Sequence, residues 1–195
     1  RQCPQGEAIA RILASAIQAV EPGLSVRRFV QRAGNSLLVD HQVYRLDEIR
    51  QIRILGLGKA AQGMSQAWVE MLGGFSYQGL LIPKHKPTQA LPKFTVFPGG
   101  HPVPDANSLT AAQQAIHFVS GLSEQDLLIC LISGGGSALM AAPVQGVSLA
   151  DIQALTTLLL GCGARIDEIN ALRRQIDQLK GGRLARLASP ARMIS

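Results

Sequence analysis

Residues 127–140 constrain the fold more than any other segment, because the short apolar run LLICLI leads directly into three glycines flanked by serines. A run without polar alternation is typical of a parallel strand that is buried on both faces. Glycines allow a sharp bend and a close approach to a ligand, and the N–H groups of such a turn form a concave anion-binding surface. We predict that this loop binds a phosphate or a carboxylate; the alternative is a purely structural turn. Its residues are Ser133, Gly134, Gly135, Gly136 and Ser137.

Along the rest of the chain, apolar spacing predicts helices that alternate with strands. Predicted helices cover residues 7–20, 60–72, 107–121, 148–160, 167–179 and a short stretch before Pro190. Predicted strands cover residues 52–55, 80–82, 94–97 and 127–132, and another begins within 191–195. Pro22 and Gly23 are expected to end the first helix, and Asp167 is expected to cap the helix at 167–179. The pattern predicts an α/β fold: an open, mostly parallel sheet with helices on both faces and a small β-ribbon at 27–44.

The composition excludes several classes of protein. With 195 residues, 47% of them hydrophobic, the chain can form one sizeable core. Its net charge of +6 admits a generally basic surface or a site for small anions, but the basic residues are scattered and only 4% of residues are aromatic, so we expect no nucleic-acid partner.

The same sequence argues against a membrane span and a metal cluster. No apolar run approaches the roughly 18 residues that a span needs, so we expect no membrane partner. Cys3, Cys130 and Cys162 lack metal-ligand spacing, and we expect them to be reduced thiols of a cytoplasmic protein.

A second glycine turn joins the predicted strand at 52–55 to the helix at 60–72. Gly56 and Gly58 would direct N–H groups and a helix dipole at an anion, and Lys59 would add a full positive charge. Ala60 stands where a Walker P-loop needs a serine or threonine, so that motif is not predicted. The alternative is a tight turn with a solvated lysine.

Two further groups of residues are candidates for a site. His101 lies between glycines and prolines with Asp105 four residues on, which suits either orientation or proton transfer; the alternative is a loop histidine beside a helix-start aspartate. Asn170 and Arg173 share a helix face at i, i+3, and an ordinary solvated face is equally compatible with that spacing. One lysine and the two glycines that end that helix complete the candidates: Lys180, Gly181 and Gly182.

Together, the segments GLGKAA at 56–61, GGHPVPD at 99–105 and ISGGGSAL at 132–139 resemble the type II glycerate kinases, a family also labelled hydroxypyruvate reductase. Residues 170–173 and 179–182 match the same family. The resemblance runs from about residue 7 to residue 195 and covers only the N-terminal part of the family's chain. Leu57, Gln175 and Asp177 depart from residues that are usual there.

The resemblance implies transfer of the ATP γ-phosphoryl group to D-glycerate, typically giving 2-phosphoglycerate, with Mg²⁺. Lys59 matches the lysine expected to stabilise the transferring phosphate, and residues 133–137 match a phosphate-binding loop. It also implies that residues 1–195 are part of a large N-terminal Rossmann-like domain, so that the rest of that domain and a small C-terminal domain would follow residue 195. A homodimer remains open, and no metal ligands are assigned.

We therefore predict a glycerate 2-kinase in which Lys59, His101 and Asp105 serve catalysis. The residues predicted to bind ATP are those of the two glycine loops together with Asn170, Arg173, Lys180, Gly181 and Gly182. Residues 1–195 alone are expected to be inactive, because the active-site cleft of the family lies between its two domains. One alternative is an NAD(P)-dependent hydroxypyruvate reductase, although no acidic residue near position 80 would hold a ribose. The other is a sugar-phosphate-binding domain without catalysis.

Overall fold

The structure, a computed structural model, describes residues 5–195, and the predicted thiol Cys3 lies outside them. The helices are α1 (Gly6–Ala19), α2 (Pro22–Phe29), α3 (Ala61–Leu72), α4 (Ala106–Val119), α5 (Gly136–Leu139), α6 (Leu149–Gly161), α7 (Ile166–Gln175) and α8 (Arg183–Ala188), with a 3-10 turn at Leu46–Glu48. The strands are β1 (Val30–Ala33), β2 (Ser36–Val39), β3 (Gln42–Arg45), β4 (Gln51–Leu57), β5 (Tyr77–Ile82), β6 (Phe94–Val96), β7 (Asp126–Ile132) and β8 (Arg192–Ile194).

A five-stranded sheet in the order β6-β5-β4-β7-β8 forms the centre of the fold, and each neighbouring pair is parallel. The chain starts in the middle with β4, builds outward through β5 and β6, and then returns to place β7 on the other side of β4. This is the strand order of a doubly wound sheet, whose ligands bind where the order reverses, outside the carboxyl ends of the strands. The predicted α/β fold is confirmed.

The sheet is covered on both faces because successive side chains of a strand point to opposite sides. On one face Leu55 and Leu128 pack with α4 and α8. On the other, Ile54 and Ile129 pack with Trp68 of α3 and with the small sheet. All four strand residues are fully buried, which explains why residues 127–132 of β7 appear in the sequence as an unbroken apolar run.

The N-terminal region differs from the prediction in two ways. The predicted β-ribbon is a three-stranded antiparallel sheet, β1-β2-β3, that begins at Val30. Residues 27–29 belong instead to α2, because Pro22 opens a second helix directly after the first one ends. The Glu21 carboxylate caps α2 by accepting hydrogen bonds from Gly23 N–H at 3.0 Å and Leu24 N–H at 2.6 Å. Proline is favoured at a first helical position, where its missing N–H costs no hydrogen bond.

Helix α1 leaves its apolar stripe uncovered, with Ile12 and Ile17 68% and 71% exposed. Within residues 5–195 no single helix is long and apolar enough to cross a membrane. The pair α1 and α2, bent by 54° at the break, passes by length and composition only.

Helix α7 begins one residue before the predicted start and ends four residues before the predicted end. Its N-cap is Arg165, whose N–H donates to Glu168 at 2.8 Å, so the prediction that Asp167 caps this helix is wrong. The helix ends at Gln175 instead of Leu179, because Asp177 turns inward. Its buried carboxylate accepts hydrogen bonds from Ala142 N–H at 3.2 Å and Leu179 N–H at 2.9 Å. These tertiary contacts outweigh the helical spacing of the sequence.

Candidate functional site

The two predicted glycine turns meet at the carboxyl ends of β4 and β7, where Leu57 and Ile132 are register partners. Ser133 joins them: its N–H donates to the Leu57 carbonyl at 2.8 Å, and its Oγ accepts from Ala60 N–H at 3.0 Å. The Lys59 N–H in turn donates to the Gly134 carbonyl at 3.0 Å. The loops at 56–60 and 133–137 therefore form one hydrogen-bonded unit.

Close approach at this junction requires glycine at two positions. Gly58 has a φ of +113°, and a Cβ there would lie 2.4 Å from Ser133 Oγ. Gly135 has a φ of +92°, and a Cβ there would lie 3.1 Å from His101 Cδ2 and 3.4 Å from Lys59 Cε. The side chains of His101 and Lys59 thus both lie against Gly135, close to the position that a Cβ would occupy. This brings together three candidates that are far apart in the sequence.

Asp105 caps α4 through a capping box. Its Oδ1 accepts hydrogen bonds from Ser108 N–H at 2.9 Å and from Gly100 N–H at 3.1 Å. Burial raises the pKa of this carboxyl, but the bonds from Ser108 and Gly100 outweigh that effect and the pKa is lowered. The structure therefore uses Asp105 as the helix-start aspartate considered in the sequence, and its carboxylate holds the loop that carries His101.

The environment of His101 favours its neutral form. Partial burial lowers the pKa of the imidazole, and the positive charges of Lys59, Lys84 and Arg173 lower it further. Such an imidazole is available at neutral pH to accept a proton. His41, His85 and His117 are exposed and lie outside this cluster.

A cleft of about 960 Å³ opens beside this junction. Its walls come from the end of β7, the glycine loop at 133–137, α7 and the segment that leads into α8. The predicted site residues that line it are His101, Ser133, Gly135, Gly136, Ser137, Asn170, Arg173, Lys180, Gly181 and Gly182. Lys59 does not line the cleft, but its exposed side chain lies beside Gly135, which does.

Three predicted ligand-binding glycines and Asp105 lie outside the cleft lining. Gly56 serves packing, because a Cβ there would lie 2.7 Å from Ser65 Oγ and 2.8 Å from Leu81 Cδ1. Gly58 makes room for Ser133, and Gly134 contributes its carbonyl to the bond from Lys59. Gly56 and Gly58 therefore support the loops through packing, whereas Gly134 is exposed next to Gly135.

Arg173 reaches across the cleft from α7 to the glycine loop. Its Nη1 donates to Ser137 Oγ at 3.4 Å and its Nη2 donates to Thr156 Oγ1 at 3.3 Å. Burial lowers the pKa of the guanidinium, while the charge of Asp177 acts in the opposite direction. Asn170, its predicted partner on the same face, is exposed at the rim.

The ammonium group of Lys180 already has two partners within the protein. Its Nζ pairs with the buried Asp177 carboxylate and donates to the Met140 carbonyl at 2.9 Å. Burial lowers the pKa of Lys180, and Asp177 partly opposes this effect. The pair fixes the chain just after the glycine loop. Gly181 and Gly182 follow in left-handed backbone conformations, with φ of +64° and +83°.

Sequence reasoning missed Thr156 and the role of Asp177. Thr156 lies within the predicted helix at 148–160, and only the tertiary packing of α6 against α7 shows that it contacts Arg173. Asp177 was noticed only as a departure from the family pattern. A carboxylate three residues before Lys180 was the available signal for the buried pair.

Comparison with known proteins identifies the family of the chain. Residues 8–195 match the family described as a domain of unknown function, DUF4147. The chain is 38% identical over 146 residues to the D-glycerate 2-kinase of Thermotoga maritima and 34% identical over 177 residues to the glycerate 2-kinase of Pyrococcus horikoshii. These alignments cover 74% and 91% of this chain but only 35% and 39% of the relatives, so the chain spans less than half of their length.

Two crystal structures are similar to the fold. A protein from Pyrococcus horikoshii superposes with a TM-score of 0.83 at 32% identity, over 99% of this chain and 43% of that one. The glycerate kinase of Thermotoga maritima superposes with a TM-score of 0.77 at 35% identity, over 94% of this chain and 41% of that one. The chain therefore belongs to the DUF4147 family, the glycerate kinase family that its sequence motifs resemble.

Proposed function

We propose that the protein containing this chain transfers the γ-phosphoryl group of ATP to D-glycerate, giving 2-phosphoglycerate, and that this chain supplies one wall of its active site. The observation that carries the proposal is the convergence of Lys59 and His101 on the Gly135 backbone at the ends of β4 and β7. Phosphoryl transfer depends mainly on positioning and charge stabilisation, and a glycine loop beside a lysine offers both. The glycerate kinase names of the relatives support the same reaction.

Lys59 and the glycine loop are assigned to the phosphates. Among residues 5–195, the N–H groups of Gly134 and Gly135 have no hydrogen-bond acceptor, so they are free to donate to phosphate oxygens. The exposed ammonium of Lys59, on a flexible side chain, can follow the phosphoryl group as it moves and stabilise the charge of the transition state.

His101 is assigned to the acceptor hydroxyl. A neutral imidazole can take the proton that the glycerate hydroxyl loses when its oxygen attacks phosphorus. Asp105 holds the loop of His101 through the Gly100 N–H and is a positioning residue in this scheme. Arg173, Lys180 and the turn at 181–182 form the opposite wall of the cleft.

The described part of the chain does not by itself fit Mg²⁺. Asp167 is the only carboxylate in the cleft lining, and residues 5–195 contain no group of three potential ligands that could hold a metal ion. Mg²⁺ prefers carboxylate and phosphate oxygens. None of the roles given above is assigned to a metal.

The reductase alternative has less support from the fold. The strand β5 ends at Ile82 and is followed by Pro83 and Lys84, so no acidic residue is present there to hold the ribose of a nicotinamide cofactor. Lys84 would instead favour a phosphate.

A coupled assay on the full-length protein separates the three functions. D-glycerate is supplied either with ATP and Mg²⁺ or with NAD(P), and ADP release and nicotinamide reduction are followed in parallel. We expect ADP release that depends on D-glycerate, and a phosphorus spectrum of the product that identifies carbon 2. Nicotinamide reduction without ADP release would favour the reductase, and binding without either reaction would favour the sugar-phosphate-binding domain.

A further inference from the structure

Arg173 carries more hydrogen-bond donors than the protein satisfies. A guanidinium has five N–H donors, yet Arg173 bonds only two neutral oxygens, Ser137 Oγ and Thr156 Oγ1. Its Nε is buried without a hydrogen-bond partner. Within residues 5–195 no carboxylate lies within ion-pair distance of this guanidinium.

The one acid whose charge acts on Arg173 is already committed. Asp177 pairs with Lys180 and accepts backbone hydrogen bonds from Ala142 and Leu179. Arg173 is therefore a half-buried cation without a counter-ion in the wall of a cleft. Leaving such a charge unneutralised is unfavourable, and an anion that enters the cleft would compensate it.

The surroundings of Arg173 distinguish it from Lys59. Lys59 is exposed beside Gly135, whereas Arg173 is fixed between α6 and the loop at 133–137 by two hydroxyl groups. A fixed planar guanidinium suits a planar carboxylate that stays in place during the reaction, while a mobile ammonium suits the group that moves. A kinase of a hydroxy acid needs both positions in one cleft.

We propose that Arg173, supported by Ser137, binds the carboxylate of the hydroxy-acid substrate and thereby selects acids over uncharged polyols. This inference rests on the proposed function, since it assigns one part of the substrate to one wall of the cleft. The hydroxyls of Ser137 and Thr156 accept hydrogen bonds from Arg173, so their own O–H groups remain available as donors to the same anion.

The test removes the carboxylate from the substrate and the guanidinium from the enzyme in turn. In the full-length protein, Arg173→Gln should raise the KM for D-glycerate roughly 100-fold, the scale of losing charge-assisted hydrogen bonds, and leave the KM for ATP within about twofold. Arg173→Lys keeps the charge but not the planar fork, so its KM for D-glycerate should lie between those of wild type and Arg173→Gln. The small kcat/KM for glycerol, which lacks the carboxylate, should fall far less than kcat/KM for D-glycerate when Arg173 is replaced by glutamine.

Arg28→Gln provides the charge-matched control, because Arg28 is exposed on α2 and lies outside the cleft. It should leave both KM values unchanged. A rise in the KM for ATP without a rise for D-glycerate, or an equal loss with glycerol, would overturn the carboxylate assignment and leave the kinase proposal intact.

Calorimetric titration keeps the two proposals separable if the wild-type protein shows no phosphoryl transfer. D-glycerate is titrated into wild type and Arg173→Gln without ATP. Binding to wild type that Arg173→Gln loses supports the carboxylate site even if the kinase proposal fails. No binding to the wild type, or equal binding to both, overturns the site.

Discussion

At the residue scale, His101 takes its chemical character from its neighbours. The imidazole is partly buried, and Lys59, Lys84 and Arg173 place positive charge around it, so its protonated form is disfavoured. The sequence shows the histidine and its rigid loop, but the three cations come from other segments of the chain. A pKa that depends on them is a property of the fold.

This environment predicts the pH dependence of catalysis. Protonation of His101 would remove the proposed base, so kcat/KM should fall as the pH falls, with an apparent midpoint below 6.5 because the pKa of His101 is lowered from that value. Lys84→Gln removes one of the cations and should move the midpoint upward. Measurement of kcat/KM between pH 4.5 and 8 checks both statements.

The neighbouring Lys86→Gln is the control for this pH profile, because Lys86 is exposed and does not contribute to the shift of His101. It should leave the midpoint unchanged. A midpoint above 6.5 in wild type, or no upward movement in Lys84→Gln, would rule out the proposed state of His101.

At the scale of elements, the junction between β4 and β7 organises the cleft. Ser133 Oγ accepts a hydrogen bond from the Ala60 N–H, and the Ser133 N–H donates to the Leu57 carbonyl. The two loops therefore cannot move independently without losing these hydrogen bonds. Gly58 allows this contact, because any side chain there would occupy the position of Ser133.

The junction can be tested with two glycines of positive φ. Gly58→Ala should lower the free energy of unfolding by about 3 kcal/mol, since the new Cβ overlaps Ser133 in addition to the cost of a left-handed backbone. Gly121→Ala, with φ +72° and no atom within 4 Å of its Cβ position, should lose only about 1 kcal/mol. Urea unfolding of both variants measures the difference, and equal losses would show that the Ser133 contact is unimportant.

Most elements followed from local patterns, and the exceptions have tertiary causes. The strands β4 and β7 and both glycine turns were predicted because two-sided burial and tight turns leave a direct mark on the sequence. The end of α7 was not, since Asp177 leaves the helix to bond with Ala142, more than thirty residues away. The first helix ends just before Pro22, as predicted, but the sequence pattern did not indicate that the same proline begins α2.

At the scale of the whole molecule, the strand order explains how the site assembles. Lys59 and Ser133 are separated by more than seventy residues. They are close because the strand order reverses after β6, so that the chain returns to place β7 beside β4. The sequence predicted that both loops lie at strand ends, whereas the adjacency of those ends depends on the complete topology. The Arg173 contact to Thr156 depends equally on how α6 and α7 pack.

The chain corresponds to less than half of the length of the relatives that it matches. The proposed reaction therefore belongs to the full-length protein, and the wall described here contributes the lysine, the glycine loop and the arginine. The contribution of Lys59 to kcat is therefore the most informative quantity to measure in the full-length protein.

The central claim is tested most directly by kcat for ADP formation from ATP and D-glycerate in the full-length protein and its Lys59→Ala variant. Loss of an electrostatic contact to the transition state should lower kcat by about 100-fold or more. Lys86→Ala, which removes an exposed lysine outside the cleft, should leave kcat unchanged. A Lys59→Ala variant with near-normal kcat would contradict the assignment of this cleft to phosphoryl transfer.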